Sequence, residues 1–325
     1  MKKINNLRIR EAYKRIKKYI NFTPFKTNKL INKQYQSNIY FKIESKQKTG
    51  SFKIRGATNK ILQLNNREKK RGIVAYSSGN HGQAVSYICK ILGISSIIVM
   101  PRDAPKIKIN KTKKNGAKII FYDRKKESRE KIAKKISNKT KRILIRPFDD
   151  EDIIIGQGTI GYEIYKSLKE KNIKPDVLLC CCSGGGLIAG ISTYIKSYYK
   201  DILIYSVEPK NYNDMKISLE KGKLTSVKTN RYTICDALTV KIPGKKTFKI
   251  NKRLLNGGII VNDNQVKQAI RFLKKYYNIV SEGGGAASTA AFLSNQKIFK
   301  NKNIIIIVSG SNIDPKKFKN IINEK

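Results

Sequence analysis

The sequence lacks the features that would place the protein in a membrane, in a secretory route or around a structural metal. No apolar run reaches the roughly 18 residues that a membrane-spanning helix needs. The opening stretch MKKINNLRIREAYKR has no apolar core of a secretion signal. The five cysteines contain no CxxC pair, and the three adjacent ones, Cys180 to Cys182, cannot all face one metal from a strand. We therefore expect buried reduced thiols, a cytoplasmic location and no membrane partner.

Acidic residues are also few. The chain has 23 Asp plus Glu against 69 Lys plus Arg, which gives a formal net charge of +46. Such a charge favours nucleic-acid binding only when it is clustered on one face. Here lysines are spread from Lys2 to Lys325, and abundant Lys, Ile and Asn are typical of an A/T-rich genome. The densest run, KIKINKTKKNGAK (106–118), predicts an ordinary solvated helix, so we expect no specific nucleic-acid partner.

Short apolar runs alternate with longer helical patterns along the chain. The runs are GIVAY, SSIIVM, AKIIFY, RILIRP, DVLLCCC, ILIYSVEP and NIIIIVSG. They are apolar throughout rather than alternating, as expected for strands that are covered on both faces. This pattern predicts an α/β protein whose open, mostly parallel, twisted sheets are flanked by helices.

Several of these runs end in turns rich in glycine and serine. Ser77-Ser78-Gly79-Asn80 follows GIVAY, SGGGLIAG begins at Ser183 after DVLLCCC, and Ser309 to Asn312 follow NIIIIV. Ligands of open α/β sheets bind at the carboxyl ends of strands, and backbone N–H groups before a helix can hold a phosphate. One such turn indicates only a tight connection, but several together predict one phosphorylated ligand. The turns match neither GxGxxG nor the P-loop pattern, which disfavours a dinucleotide or ATP.

His81, the one histidine of the sequence, lies in the turn SSGNHGQAV. Because histidine titrates near neutral pH, it is a candidate catalytic base. A structural position at the start of a helix is the alternative that we favour, since a lone histidine rarely works without a nearby partner.

Five motifs together resemble a known family. ESKQKTGSFKIRGA, SSGNHGQAV, GQGTIGYEI, CSGGGLIAG and VSGSNID occur in the order found in the pyridoxal-phosphate-dependent threonine/serine dehydratases and serine racemases, which have a tryptophan synthase β-like fold. The resemblance covers Tyr19 to Asp314 and implies two domains with the cofactor in the cleft between them. Residues 1–64 and 151–325 would form the large cofactor-binding domain, and residues 71–150 the small mobile domain.

The resemblance also implies the residues that hold pyridoxal 5'-phosphate. Lys53 would bind the cofactor covalently and act as the catalytic base, a task that requires an amine whose pKa is lowered by desolvation or nearby cations. Phe52 would stack against the cofactor ring, Asn80 would bind the ring hydroxyl, and Ser309 would face the ring nitrogen. Backbone N–H groups would hold the phosphate, and they belong to Ser183, Gly184, Gly185, Gly186 and Leu187. Many relatives have a further glycine at the position of Ser183.

The substrate in this family is a small amino acid, and the resemblance places its carboxylate on the loop formed by Ser77, Ser78, Gly79, Asn80 and His81. The implied activity is L-threonine/L-serine ammonia-lyase (dehydratase), which yields 2-oxobutyrate or pyruvate plus ammonia. Ser78 matches the second acid/base of racemases, whereas Phe148 occupies a position that is polar in some racemases. Serine racemase and 3-hydroxyaspartate dehydratase therefore stay as alternatives, and an inactive basic scaffold protein is a remote one.

The segment VEPKNYNDM resembles a cation site of the same family. Glu208, the carbonyl of Tyr212 and Asp214 would hold Mg²⁺ or another mono- or divalent cation, because hard cations prefer oxygen ligands. The alternative is that these are ordinary acids at a strand end and in a loop. A homodimer is the family's usual assembly, and we expect it here.

Overall fold

Short strands separated by helices make up the fold, and the computed structural model describes residues 4–77 and 79–324. Within these residues the strands are β1 (Phe25–Lys26), β2 (Asn38–Ile43), β3 (Ile73–Tyr76), β4 (Ser96–Pro101), β5 (Lys118–Tyr122), β6 (Ile143–Ile145), β7 (Val177–Cys181), β8 (Leu203–Pro209), β9 (Gly257–Val261) and β10 (Asn303–Val308). The helices are α1 (Asn6–Ile16), α2 (Lys29–Tyr35), α3 (Lys53–Leu62), α4 (Asn66–Arg71), α5 (Asn80–Ile91), α6 (Lys106–Lys114), α7 (Arg129–Thr140), α8 (Glu151–Glu170), α9 (Gly186–Ile195), α10 (Asp214–Glu220), α11 (Lys245–Leu254), α12 (Asp263–Tyr277), α13 (Gly283–Ser294) and α14 (Pro315–Asn323). None of these helices combines the length and the apolar character required to cross a bilayer.

The strands form two sheets. The larger has the order β1-β2-β10-β7-β8-β9 and the smaller the order β5-β4-β3-β6. Neighbouring strands are parallel throughout, except for the antiparallel pair β1–β2. The predicted α/β class with mostly parallel sheets is therefore confirmed. The smaller sheet lies between residues 73 and 145, while the exact domain bounds stay a prediction.

Three strands, β1, β2 and β9, are absent from the runs that the sequence indicates. β2 carries Lys42 in an otherwise apolar segment, and this lysine is fully buried. β9 begins with two glycines and lies at the edge of the sheet, where most of its residues are only half-buried. Neither segment has the continuous apolar pattern that marks a central parallel strand.

A buried ion network joins β2 to helices α3 and α8. The Arg55 guanidinium lies 2.8 Å from a Glu44 oxygen and 2.7 Å from a Glu163 oxygen, and the Lys42 ammonium lies 2.5 Å from the other Glu163 oxygen. All four side chains are inaccessible to solvent. Because α3 begins at Lys53, two residues before Arg55, the network fixes the first turn of this helix.

We predict that Glu163→Gln lowers the free energy of unfolding by about 3 kcal/mol or more, since removing one partner leaves buried cations uncompensated. Burial by itself raises the pKa of the Glu163 carboxyl, but Arg55 and Lys42 lower it overall. A lowered pKa contributes stability above the unfolded value of about 4.3, and this contribution is lost as the pH falls through the folded-state pKa. Urea unfolding at several pH values measures both effects.

The matched control is Glu170→Gln, at the exposed end of the same helix. It should change the free energy of unfolding by no more than about 0.5 kcal/mol. If the two variants were equally stable, the buried network would not hold α3 as described.

Candidate active site

The carboxyl ends of strands from both sheets converge on one cavity. β3 leads into Ser77, Gly79, Asn80 and His81, β7 leads into the turn from Ser183 to Leu187, and β10 leads into Ser309. All of these residues line the cavity, together with Phe52 and Lys53 at the start of α3. Ser78 lies outside the described residues, so its role stays a prediction. The sequence motifs therefore meet in space as expected.

Lys53 differs from the solvated lysines in its surroundings. Its ammonium donates a hydrogen bond to the Pro147 carbonyl at 2.8 Å and lies 5.2 Å from the centre of the Phe52 ring. Burial lowers the pKa of Lys53 to about 8; Cys181 opposes this shift, and the positive charge of Arg129 adds to it. An amine with this pKa is partly neutral near physiological pH and can act as a nucleophile or a base.

The glycine turn between β7 and α9 requires its glycines for two different reasons. Gly185 has φ +87°, a left-handed conformation that side chains disfavour. A Cβ on Gly184 would meet the Phe148 ring at 2.3 Å, and a Cβ on Gly186 would lie 3.0 Å from the Phe148 carbonyl oxygen. The turn leads directly into the N-terminus of α9, where unpaired N–H groups and the helix dipole favour an anion.

Helix α11 holds this turn from behind. Thr247 Oγ1 donates a hydrogen bond to the Gly184 carbonyl at 2.6 Å, and Asn251 Nδ2 donates to the Gly185 carbonyl at 3.2 Å. Both side chains are fully buried. Asp149 caps α11 by accepting from the N–H groups of Lys246 and Thr247. With their carbonyls bound to α11, the glycines keep one fixed backbone orientation. Sequence analysis did not identify these supporting residues.

Asn80 is held at both ends of its amide. Its Nδ2 donates to Glu282 Oε1 at 2.5 Å, and its Oδ1 accepts from Asn312 Nδ2 at 2.9 Å. The amide orientation is therefore fixed at the first residue of α5. One further hydrogen of Nδ2 is available for a ligand oxygen in the cavity.

His81 is buried, with Nε2 3.2 Å from the Ile145 carbonyl. Burial lowers the pKa of His81 to about 3, and the charges of Lys53 and Arg129 add to this shift. A neutral imidazole that donates from Nε2 to the Ile145 carbonyl fits the structural role better than the role of a catalytic base.

Ser309 lies at the end of β10, opposite the triple cysteine. The Cys181 thiol donates a hydrogen bond to Ser309 Oγ at 3.2 Å, and Ser309 Oγ lies 3.4 Å from the Gly284 carbonyl. The five cysteines are buried free thiols, as the sequence predicts.

Glu208 and Asp214 form a pair of fully buried acids behind the glycine turn. Glu208 accepts from the N–H groups of Met215 and Lys216, both at 2.8 Å, whereas neither Asp214 oxygen has a hydrogen-bond partner among the described residues. Burial raises the pKa of Glu208, with a further rise from the Asp214 charge, and burial raises the pKa of Asp214 to about 8. No group of three or more His, Cys, Asp or Glu side chains that could hold a metal occurs in the described part of the chain. A cation here would need a carbonyl such as that of Tyr212.

The prediction of an ordinary solvated helix at residues 106–118 is wrong for Lys108. This residue is only 1% exposed and lines the cavity, where its ammonium pairs with Asp236 and Glu282. The two acids lie far along the chain, so no local pattern reveals the contact. Arg129 of α7 also lines the cavity without a sequence signal, and its guanidinium lies 5.6 Å from the centre of the Tyr76 ring.

Comparison with known proteins agrees with this geometry. The family model described as "Pyridoxal-phosphate dependent enzyme" matches residues 16–310. The chain belongs to this family, and its cofactor is pyridoxal 5'-phosphate. The half-buried amine of Lys53 with its lowered pKa, the glycine turn at a helix N-terminus and the fixed Asn80 amide all suit a phosphorylated aldehyde.

Within the family the chain is similar to proteins of two kinds. It is 37% identical to "Serine racemase" of Schizosaccharomyces pombe, over 97% of this chain and 96% of that protein. It is 39% identical to "L-threonine ammonia-lyase" of Thermotoga maritima, over 97% of this chain and 77% of that protein. The structure of maize serine racemase superimposes with a TM-score of 0.90 at 34% identity, over 97% of this chain and 96% of that one.

We predict that Gly185→Ala raises the dissociation constant of pyridoxal phosphate by about tenfold or more. The substitution forces a side chain into a left-handed conformation at a cost of about 1–2 kcal/mol and also brings a Cβ within 2.7 Å of Asn251 and Met215. The absorbance change on adding cofactor to apoprotein measures the affinity.

Gly222→Ala is the control, because Gly222 also has positive φ, at +64°, but has only the end of the Lys252 side chain near its Cβ position. It should lose stability through the left-handed conformation alone and keep normal cofactor affinity. Equal affinities of the two variants would show that the turn does not hold the cofactor.

Proposed function

We propose that the protein removes ammonia from L-threonine and L-serine by dehydration, which yields 2-oxobutyrate or pyruvate. The single observation that carries this proposal is the low-pKa amine of Lys53 in the cavity, beside a glycine turn built for a phosphate. The ammonia-lyase relative from Thermotoga maritima, similar over nearly the whole chain, supports the same reaction class.

Named cavity residues would hold the cofactor. Lys53 would hold it covalently, the turn from Ser183 to Leu187 would bind its phosphate, and Phe52 would lie against its ring. Asn80 would donate to the ring hydroxyl, and Ser309 would face the ring nitrogen. When bound, pyridoxal phosphate withdraws electrons from the substrate Cα, which makes removal of its proton feasible.

The protein's own groups bind the substrate and move the proton. Backbone donors at the start of α5, next to Ser77 and Gly79, would receive the substrate carboxylate, with Ser78, Asn80 and His81 in the same loop. The Lys53 amine, once free, takes the Cα proton as general base; its pKa of about 8 suits this role near neutral pH. The β-hydroxyl takes up one proton as it leaves as water, so that the elimination balances the proton that Lys53 removed from Cα. A water molecule later replaces the nitrogen, which leaves as ammonia.

We predict that Lys53→Ala loses the yellow colour of the bound cofactor and lowers turnover by about 10³-fold or more, because both the anchoring amine and the base are removed. Visible absorbance of the purified protein and keto-acid formation from L-threonine measure the two effects. Lys48→Ala, which removes an exposed lysine five residues earlier, should have neither effect. Normal turnover in the Lys53 variant would contradict the proposed reaction.

Serine racemase is the second candidate, because relatives with this name match the chain as fully as the ammonia-lyases do. In that reaction Ser78 would exchange a proton on the face of the substrate opposite Lys53. Chiral analysis of the products from L-serine separates the two activities. Formation of D-serine faster than pyruvate would make racemisation the main reaction.

One charged side chain of the cavity favours 3-hydroxyaspartate as an alternative substrate. Arg129 adds positive charge near Lys53 and His81, which suits a substrate with a second carboxylate. Comparing kcat/KM for threonine, serine and 3-hydroxyaspartate therefore tests the substrate class directly.

We also propose a cation at Glu208, Asp214 and the Tyr212 carbonyl, because these two buried acids form no ion pair with any described residue, and unpaired buried charges are costly. Mg²⁺ or another mono- or divalent cation would neutralise them beside the glycine turn. The ion would stabilise the loop that precedes α10.

We predict that Asp214→Asn stabilises the protein at pH 7–8 in chelator by about 2 kcal/mol. The raised pKa means that the folded state holds a proton that the unfolded state releases, so without a cation wild-type stability falls as the pH rises from about 4 to about 8. Melting temperatures with chelator and with Mg²⁺ measure the effect. Mg²⁺ should stabilise the wild type and not the variant.

Asp201→Asn, at an exposed position, is the control and should follow the wild type in both solutions. If wild type and Asp214→Asn show the same pH dependence and neither responds to the ion, the cation proposal is wrong.

The remaining proposals concern location and assembly. The reduced state of all five cysteines supports a cytoplasmic location. The family's organisation also suggests a homodimer. It suggests two domains, a large one of residues 1–64 and 151–325 and a small mobile one of residues 71–150. Closure of the smaller unit on the substrate would exclude water from the reaction.

A further inference from the structure

The Lys108 side chain is buried, although the chain is strongly basic, with a formal net charge of +46. Its Nζ donates to Asp236 Oδ2 at 2.7 Å and forms an ion pair with Glu282 Oε2 at 2.9 Å. Isolating a charge from water is expensive unless it is closely paired, so two acids around one ammonium form a built site rather than a surface contact.

The three charges come from different parts of the fold. Lys108 lies on α6, which connects β4 to β5 of the smaller sheet. Asp236 precedes α11, and Glu282 precedes α13, which packs on strands of the larger sheet. The ion pairs of Lys108 with Asp236 and Glu282 therefore connect a helix of the smaller sheet to the side of the cavity formed by the larger sheet.

We propose that Lys108 is a positioning residue that ties α6 to the opposite wall of the active site and sets the charge of Glu282, and through it the orientation of Asn80. This inference rests on the cavity being the cofactor site, as argued above. It does not depend on whether the protein eliminates or racemises.

The rest of the Lys108 side chain supports the substrate loop. A Cβ on Gly79 would lie 2.2 Å from the Lys108 Cδ atom, so the methylene groups pack directly against the backbone of Gly79. The next residue is Asn80, whose amide donates to Glu282 Oε1. One lysine therefore supports the loop through its methylenes and the asparagine amide through its charge.

Charged and titratable groups face Glu282 from several elements. Lys108 and Lys111 lie on α6, Asp236 lies in the loop before α11, and Cys181 lies at the end of β7. Burial raises the pKa of Glu282, Lys108 lowers it, and Asp236 raises it. Removing Lys108 should therefore favour the protonated carboxyl, whereas removing the charge of Asp236 should favour the carboxylate. A protonated Glu282 accepts less strongly from Asn80.

The experiment follows the visible absorbance of the bound cofactor against pH in wild type, Lys108→Met, Asp236→Asn and Glu282→Gln. A pH-dependent change in this absorbance that occurs in the wild type and is missing in Glu282→Gln is assigned to titration of the Glu282 carboxyl. In Lys108→Met it should move up by about one pH unit or more, and in Asp236→Asn it should move down. Shifts of opposite sign are not expected from loss of packing or stability.

A second measurement is the dissociation constant of the cofactor. Lys108→Met should raise it by about tenfold or more, and the double variant Lys108→Met/Glu282→Gln should recover part of the loss, because the unpaired acid is removed as well. Lys113→Met, on the exposed face of the same helix, should match the wild type. If Lys108→Met does not fold, the double variant Lys108→Met/Glu282→Gln replaces it: recovery of folding supports the pairing of Lys108 with Glu282, and no recovery overturns it.

The outcomes separate this proposal from the proposed function. A coloured wild type whose transition stays in place in both Lys108→Met and Asp236→Asn would overturn the role of Lys108 alone. A wild type that remains colourless with added cofactor would overturn both proposals. Opposite shifts in an enzyme that forms mainly D-serine would support the role of Lys108 while changing the reaction assigned to the protein.

Discussion

The active site depends on keeping one amine out of bulk water at the first residue of a helix. Lys53 begins α3, and desolvation is the largest cause of its lowered pKa. The position of that residue is in turn set by Arg55, whose guanidinium is locked between Glu44 and Glu163 with no access to solvent. The chemistry therefore depends on ion pairs that never touch a ligand.

Charge has two distinct uses in this chain. The many surface lysines give the protein its basic character, and the sequence spreads them without a pattern. The buried cations Lys42, Arg55 and Lys108 each have acids within 3 Å and connect elements that are distant in sequence. The net charge therefore carries little information about the site, whereas the few buried charges define its walls.

Much of the fold and part of the site could be predicted from the sequence because the relevant signals are local. Apolar strands flanked by helices indicate parallel sheets, and Gly185 or Lys53 can be recognised within a short motif. Lys108 and Thr247 could not be found in this way, because their roles arise from contacts between segments far apart in the chain. β2 was missed because its buried lysine is compensated by Glu163, which lies on another element.

The short segment from Pro147 to Asp150 joins four parts of the site. The Pro147 carbonyl accepts from Lys53, and the Phe148 ring lies over Gly184. The Asp149 carboxylate caps α11, and the Asp150 carboxylate caps α8. Each of these four consecutive residues makes a different contact, and no residue between them is free of one. An insertion or deletion of one residue here would displace an acceptor, an aromatic cover and two helix caps at once, so this stretch should tolerate changes of length far less than the loops on the outer surface.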